Sequence, residues 1–280
     1  MSNPPIERLF PIQPPTHEID WARWELTEEE DDVPESTDQT QGIRTLMSAL
    51  EVWLEEKGWG HLYVGSDQFF AWMQKRPLVR LSPDVYVFEP PPGERRFKTI
   101  QLWEPDHNPP WIGFEFISTS NRSKDHQDSP LKYQHLGAQE QVLFEPEAAH
   151  PLGPWPLKVY RRSDDGTWGL VEQNNDRAPV WLETLQAWIL ISWSPDGPRL
   201  RLARDAAGHD LVPTHQERAE KELHARQLAE QARSEAEQAR SEAEQALADA
   251  QAQHQHEREA RNVLERQLAE LRALMESVDD

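Results

Sequence analysis
An α+β fold with a long helical extension behind it is the class this sequence predicts, on three observations. Apolar side chains recur at helical spacing between residues 43 and 54, and short alternating segments follow between residues 61 and 182. Beyond Leu211 no aromatic side chain remains and the chain reads as Ala, Glu, Gln, Arg and Leu. A helix, then antiparallel strands, then strand, helix and strand describe an α+β core wrapped by extra β structure.

Residues 1–35 read as an acidic leader. The first 40 residues hold six prolines and the run TEEEDD from Thr27 to Asp32, a composition that stays extended and buries little. Trp21 and Trp24 are the side chains able to strap it to the body. The acid run reads as a solvated loop, because consecutive carboxylates without a glycine turn cannot wrap a cation. Residues 36–211 make the globular domain. In it Ile43, Leu46, Met47, Leu50, Trp53 and Leu54 share one helix face, which stops at Lys57-Gly58 where glycine caps a helix C-terminus. Strands are expected at His61 to Gly65, Phe69 to Met73, Val85 to Phe88, Trp111 to Ser118 and Gln141 to Phe144. Between the last two, a short helix is expected with Ser129 as N-cap, Pro130 at its first position and Gly137 at its end. LKVYRR, GTWGLVE and PVWL then alternate like the strands of a β meander.

The tail, residues 212–280, reads as a C-terminal α-helical coiled coil. QARSEAEQARSEAEQALADA repeats every seven residues, which puts Ala225, Ala229, Ala232, Ala236, Ala239, Ala243, Ala246 and Ala250 at alternating spacings of four and three. That is an a/d seam built from alanine. Ala260, Leu264, Leu271 and Val278 continue it while Gln253 and Glu257 interrupt it, so the strongest zipper is at the C-terminal end. One helix from Thr214 to Val278 would run about 100 Å at roughly 1.5 Å per residue, with no Gly or Pro to turn it back. A parallel coiled coil that self-associates fits this length. An isolated charged helix is the alternative, because alanine buries little area per layer. His254 and His256 lie on different helix faces and read as solvated.

Charge and cysteine usage narrow the function. With 50 acids against 29 bases, a net charge of −21, the chain lacks a broad basic face for nucleic acid. The average hides unlike parts: residues 211–280 hold 16 acids and 9 bases, whereas Lys75, Arg76, Arg80, Arg95, Arg96, Lys98, Arg122, Lys124 and Lys132 make residues 75–132 locally basic. DNA affinity is expected to be weak and to fall steeply with salt. No cysteine is present, which excludes disulfides, thiolate zinc sites and thiol nucleophiles and suits a reducing compartment. No apolar run reaches the roughly 18 residues of a membrane span, and MSNPPIERLFPIQPP lacks a signal peptide's apolar stretch. A soluble, cytoplasmic protein without membrane contact is expected. Phosphate-loop, dinucleotide and serine-elbow motifs are absent, which sets aside nucleotide-driven and serine-hydrolase chemistry. His107, His126, His135 and His150 lack ligand spacing and read as surface or ordinary core residues.

Two carboxylates stand out. Asp84 follows Pro83 and opens the strand VYVF; Glu115 sits inside WIGFEFIS, pointing away from the face of Phe114 and Phe116. A carboxylate on a core face is costly unless it is paired, protonated or bound to metal. Two of them on adjacent strands repel, and a divalent cation resolves the repulsion while activating water for attack on phosphate. The alternative is that one or both are ordinary exposed strand residues.

The order SPDVYVF, RRFKTIQLWEP, PPWIGFEFISTSNRSKD, KYQHLGAQEQVLFEP resembles the Uma family of restriction-endonuclease-like proteins, within the PD-(D/E)XK nuclease superfamily. The resemblance runs from about Pro34 to about Leu211, and the acidic tail resembles those appended to many relatives. It implies a restriction-endonuclease-like core of helix, mixed β-sheet and helix. The family's metal-binding Asp and Glu fall on Asp84 and Glu115. Asp125 matches an Asp after the Ser-rich turn, Tyr133 the helix Tyr, Gly137 the Gly, and Glu145-Pro146 stands for Asp-Pro. The superfamily's lysine two residues after the Glu is Ile117 here, and the helix lysine of the Uma branch falls on Ser129. Lys132, one turn later, and Lys124 are the nearest lysines. The acid and His before the first helix fall around Ser36 and Thr40, with Glu35 beside them.

The resemblance implies a Mg²⁺ (or Mn²⁺)-dependent DNA endonuclease. Asp84 and Glu115, helped by the Phe116 carbonyl, are its metal ligands and Lys132 the cation that orients the water or stabilises the phosphate charge. Because the motif lysine is out of register, two alternatives stand beside it: a catalytically degraded nuclease fold acting as a DNA-binding or regulatory module, and a coiled-coil assembly protein.

Overall fold
The structure is a computed structural model that describes residues 10–11, 19–26, 37–93, 99–118, 122–148, 156–174, 178–194 and 197–276. The chain divides into a compact unit ending at Glu217 and a second unit formed by Arg218–Asp280.

The first long helix, α1 (Thr37–Lys57), forms where the apolar repeat requires it. Ile43, Leu46, Leu50, Trp53 and Leu54 are all buried, and Gly58 ends the helix at φ +70°, a backbone that costs glycine little. Seven strands form the main sheet, in the order β1-β10-β9-β8-β7-β5-β2. They are β1 (Phe10–Pro11), β2 (Tyr63–Gly65), β5 (Val85–Phe88), β7 (Ile112–Phe116), β8 (Glu140–Phe144), β9 (Leu157–Arg162) and β10 (Trp168–Asn174). All pairings are antiparallel except β7 with β8, which α2 (Arg122–Leu136) connects. A three-stranded sheet of β3 (Phe69–Ala71), β4 (Arg80–Leu81) and β6 (Thr99–Gln101), and another of β11 (Val180–Leu182), β12 (Ala187–Ser194) and β13 (Gly197–Ala203), complete the unit.

The main sheet is covered on both faces. Val85, Val87, Ile112, Phe114, Phe116, Val142 and Val159 meet the α1 residues and the inward side of β11–β13 in one core. Tyr86, Phe88, Leu143, Tyr160 and Trp168 meet Tyr133 and Leu136 of α2, with Phe70, Leu81 and Ile100 of the small sheet, in the other. This is the expected α+β arrangement of helix, mixed sheet and helix with added β structure.

Strands β1, β4 and β6 were not expected, and two further differences bear on how the elements are joined. α2 does not start at Ser129-Pro130 but at Arg122, with Pro130 inside it. The missing proline donor is outweighed by the first two turns, where Arg122 and His126 both reach the buried Glu145 carboxylate. The meander also continues past Leu182 into the β12–β13 hairpin. The strap is formed as expected. Trp24 is buried and its ring, with that of Trp21, packs edge-on against His135, while Arg23 pairs with Asp128 at 2.8 Å. The acid run Thr27–Asp32 lies outside the described residues.

The tail is one helix, α3 (His215–Glu276), and no helix of the described residues is long and apolar enough to cross a membrane.

Candidate active site
Strand alternation brings the two predicted carboxylates together. Val85 of β5 pairs with Phe114 of β7, so Asp84, one residue earlier, comes opposite Glu115, one residue later. Val85, Val87, Phe114 and Phe116 belong to the α1 core and Tyr86 to the α2 core; period-two alternation therefore sends Asp84, Gly113 and Glu115 to the α2 side. The Phe116 amide donates to Asp84 Oδ2, and the Tyr133 hydroxyl donates to Glu115 Oε1 at 2.9 Å. Tyr133 reaches that position because β7 has glycine beneath it: a Cβ at Gly113 would come within 2.2 Å of the phenolic oxygen. Burial, then the charges of Glu115 and Asp84 and the hydrogen bond, hold the Tyr133 pKa well above its ordinary value. The phenol is therefore a fixed donor.

The carbonyl of Phe116 accepts from the Gln39 amide of α1 at 3.2 Å. Two carboxylates and a backbone carbonyl are hard oxygen donors of the kind Mg²⁺ or Mn²⁺ takes, so the residues present fit such an ion. No group of three or more Asp, Glu or His able to hold a metal occurs among the described residues.

The lysine positions are filled otherwise. Ile117 is buried in the α2 core, and Ser129 Oγ accepts from Gln141 Nε2 at 2.6 Å. Lys132 is buried on the inward stripe of α2, where Ser129, Lys132, Tyr133 and Leu136 follow helical spacing. The side chains of Lys124 and Asp125 lie outside the described residues, as do Glu35, Ser36, Arg95, Arg96 and Lys98, while Thr40 lies on α1. Gly137 ends α2 at φ +89°.

A second polar group was not anticipated. Glu145, buried at the end of β8, pairs with Arg122 Nε at 2.6 Å and His126 Nε2 at 3.2 Å, and His126 Nδ1 meets Lys158 Nζ at 3.3 Å. Burial and the neighbouring Lys158 lower the His126 pKa against the opposing pull of Glu145; burial likewise lowers that of Lys158. The signal in the sequence was the spacing of Arg122, His126, Ser129 and Tyr133 along one helix face. Of the other histidines, His107 Nδ1 lies 3.0 Å from the Gln101 carbonyl, His135 packs on the strap, and His150 lies outside the described residues.

A family model, Uma2, described as "Putative restriction endonuclease", matches residues 17–193. Among solved structures the chain is similar to that of "a putative nuclease belonging to DUF820" from Anabaena variabilis, at 15% identity over 55% of this chain and 76% of that one, with a TM-score of 0.38. No curated protein matches.

Proposed function
The chain belongs to the Uma2 family, and from that premise we propose that it is a metal-dependent DNA endonuclease acting at Asp84 and Glu115. The observation that carries the reading is the pair itself, two carboxylates on adjoining strands with a buried tyrosine donating to one of them. Asp84, Glu115 and the Phe116 carbonyl are the residues that would hold Mg²⁺ or Mn²⁺, which supplies polarisation of the scissile phosphate and a lowered pKa for bound water. The Tyr133 hydroxyl, by donating to Glu115 Oε1, fixes the orientation of that carboxylate. Lys132, on the same stripe of α2, supplies positive charge to the phosphate in the transition state.

The experiment is incubation of the full chain with plasmid DNA and Mg²⁺ or Mn²⁺, beside Glu115→Ala and Lys132→Ala. Cleavage that disappears in Glu115→Ala supports the reading, and equal cleavage by both proteins refutes the site. One observation favours a second reading. Both lysine positions of the motif are occupied by residues that carry no charge, Ile117 and Ser129, as a DNA-binding or regulatory module descended from a nuclease would have them. Duplex binding without cleavage under any divalent cation distinguishes it. In either case α3 supplies self-association through its alanine seam.

A further inference from the structure
The group around Glu145 has more positive charge than its carboxylate needs. Arg122 already meets Glu145 Oε1 at 2.6 Å, yet the Lys158 amine is held not by a carboxylate but by a ring nitrogen of His126. With His126 donating from Nε2 to Glu145 Oε2, its Nδ1 is the acceptor for the ammonium, so the imidazole is neutral in this arrangement. Among the described residues a guanidinium, an amine and an imidazole thus surround one carboxylate. Arg122 and Lys158 each disfavour the charged form of their neighbours, a cost that an incoming anion removes.

The group is aligned with the carboxylate pair. Glu115 is in register with Leu143 on β8, and Leu143 with Lys158 on β9, so Asp84, Glu115 and Lys158 stand in one cross-strand row on the α2 side. Two strand spacings, about 10 Å, separate Lys158 from Glu115 along it. Arg122 lies outermost, its side chain 47% exposed against 4% for Glu145, and Lys158 is partly exposed. An anion can therefore reach the cations without meeting the carboxylate.

Resting on the nuclease reading, we propose that Arg122, His126 and Lys158 form a phosphate site that holds a backbone phosphodiester of bound DNA beside Asp84 and Glu115. Glu145 positions Arg122 and His126 from below, His126 positions Lys158, and Lys158 and Arg122 make the charge-assisted contacts.

Two measurements on the full chain test this. The first is binding of a fluorescent duplex oligonucleotide in Ca²⁺, across a salt series, by wild type, Lys158→Met, Arg122→Met and Lys158→Arg. The site requires an affinity loss of about tenfold and a salt slope smaller by about one in each methionine variant, with Lys158→Arg close to wild type. The second needs no variant to fold: inorganic phosphate is titrated into wild type while the His126 ring resonances are followed. A saturable shift supports the site; a ring that does not respond, or wild-type affinity and slope in folded Lys158→Met, overturns it. Plasmid cleavage separates the two proposals. Cleavage by wild type with no phosphate response rejects the phosphate site and keeps the nuclease, whereas a saturable response without cleavage keeps the site and rejects the nuclease.

Discussion

Tyr133 and Gly113 act as a pair, and their substitution reads out how the carboxylates are held. Tyr133→Phe removes the donor to Glu115 while keeping the ring, and should cost about 1–2 kcal/mol in urea unfolding, the usual cost of leaving a partly buried acceptor unmet. Gly113→Ala should cost more, about 1–3 kcal/mol, because the new methyl meets a fully buried ring; equal stability to wild type would show that the ring can move aside. Histidine chemistry gives a pH prediction. Burial first, then Lys158 for His126 and Arg162 for His135, hold both pKa values below the ordinary 6.5. The unfolded chain therefore binds protons that the folded one refuses, and stability present above about pH 6.5 is lost as pH falls below it. Thermal unfolding should drop between about pH 7.5 and 5.5, and His135→Phe with His126→Gln should flatten the drop. At this scale Asp84 and Glu115 were legible because alternation with Val85, Phe114 and Phe116 fixes their face. Glu145 and Lys158 were not, because their relation depends on β8 and β9 pairing and on a helix that starts upstream of Ser129.

Among the elements, the β11–β13 sheet and the main sheet are joined by a buried charge as well as by apolar contact. Glu140 at the start of β8 is fully buried and accepts from Arg161 Nε at 2.7 Å, from the Glu183 and Thr184 amides at 3.1 and 2.9 Å, and from the Thr184 hydroxyl. Arg161 also donates to the Trp181 carbonyl at 2.8 Å. One carboxylate thus ties the β11–β13 sheet to the main sheet. Glu140→Ala takes the buried carboxylate away from Arg161 and two backbone amides, and should cost about 3–5 kcal/mol in denaturant unfolding; a loss below about 1 kcal/mol would mean water replaces the carboxylate without penalty. Helix α1 and the core strands were readable from period alone. The β12–β13 hairpin was equally periodic, with Ala187, Ile189 and Ile191 buried in alternation, but no chemistry drew attention beyond Leu182. The true start of α2 was hidden by Ser129-Pro130, a proper start signal by local rules that the ties to Glu145 override.

At the scale of the whole molecule the −21 charge is shared between an acidic helix, with 16 acids and 9 bases in residues 211–280, and a head that is acidic as well. The helix states its own problem. Leu223, Leu228, Leu247, Val263, Leu264 and Leu268 are exposed along α3, and a lone helix gains nothing from side chains it leaves in water. Its polar face is served internally, by pairs four residues apart such as Arg240–Glu244 and Arg261–Glu265, which stabilise a helix by only about 0.2–0.5 kcal/mol each. A second copy set along the alanine seam would bury Leu264 and cover the residues that flank it, Leu228, Leu247, Val263 and Leu268. The head requires the first residues past Leu211: Val212 is in its core, and Arg201 pairs with Glu217 at 2.7 Å. Truncation must therefore follow Glu217. A chain ending there should fold with the melting temperature of the intact protein and run as a monomer by light scattering, whereas the intact chain runs as an oligomer. Replacing Leu264 and Leu268 by Glu in the intact chain should dissociate it as truncation does, by placing charge in the strongest part of the seam and beside it. An oligomer that survives both changes would put the interface on the head.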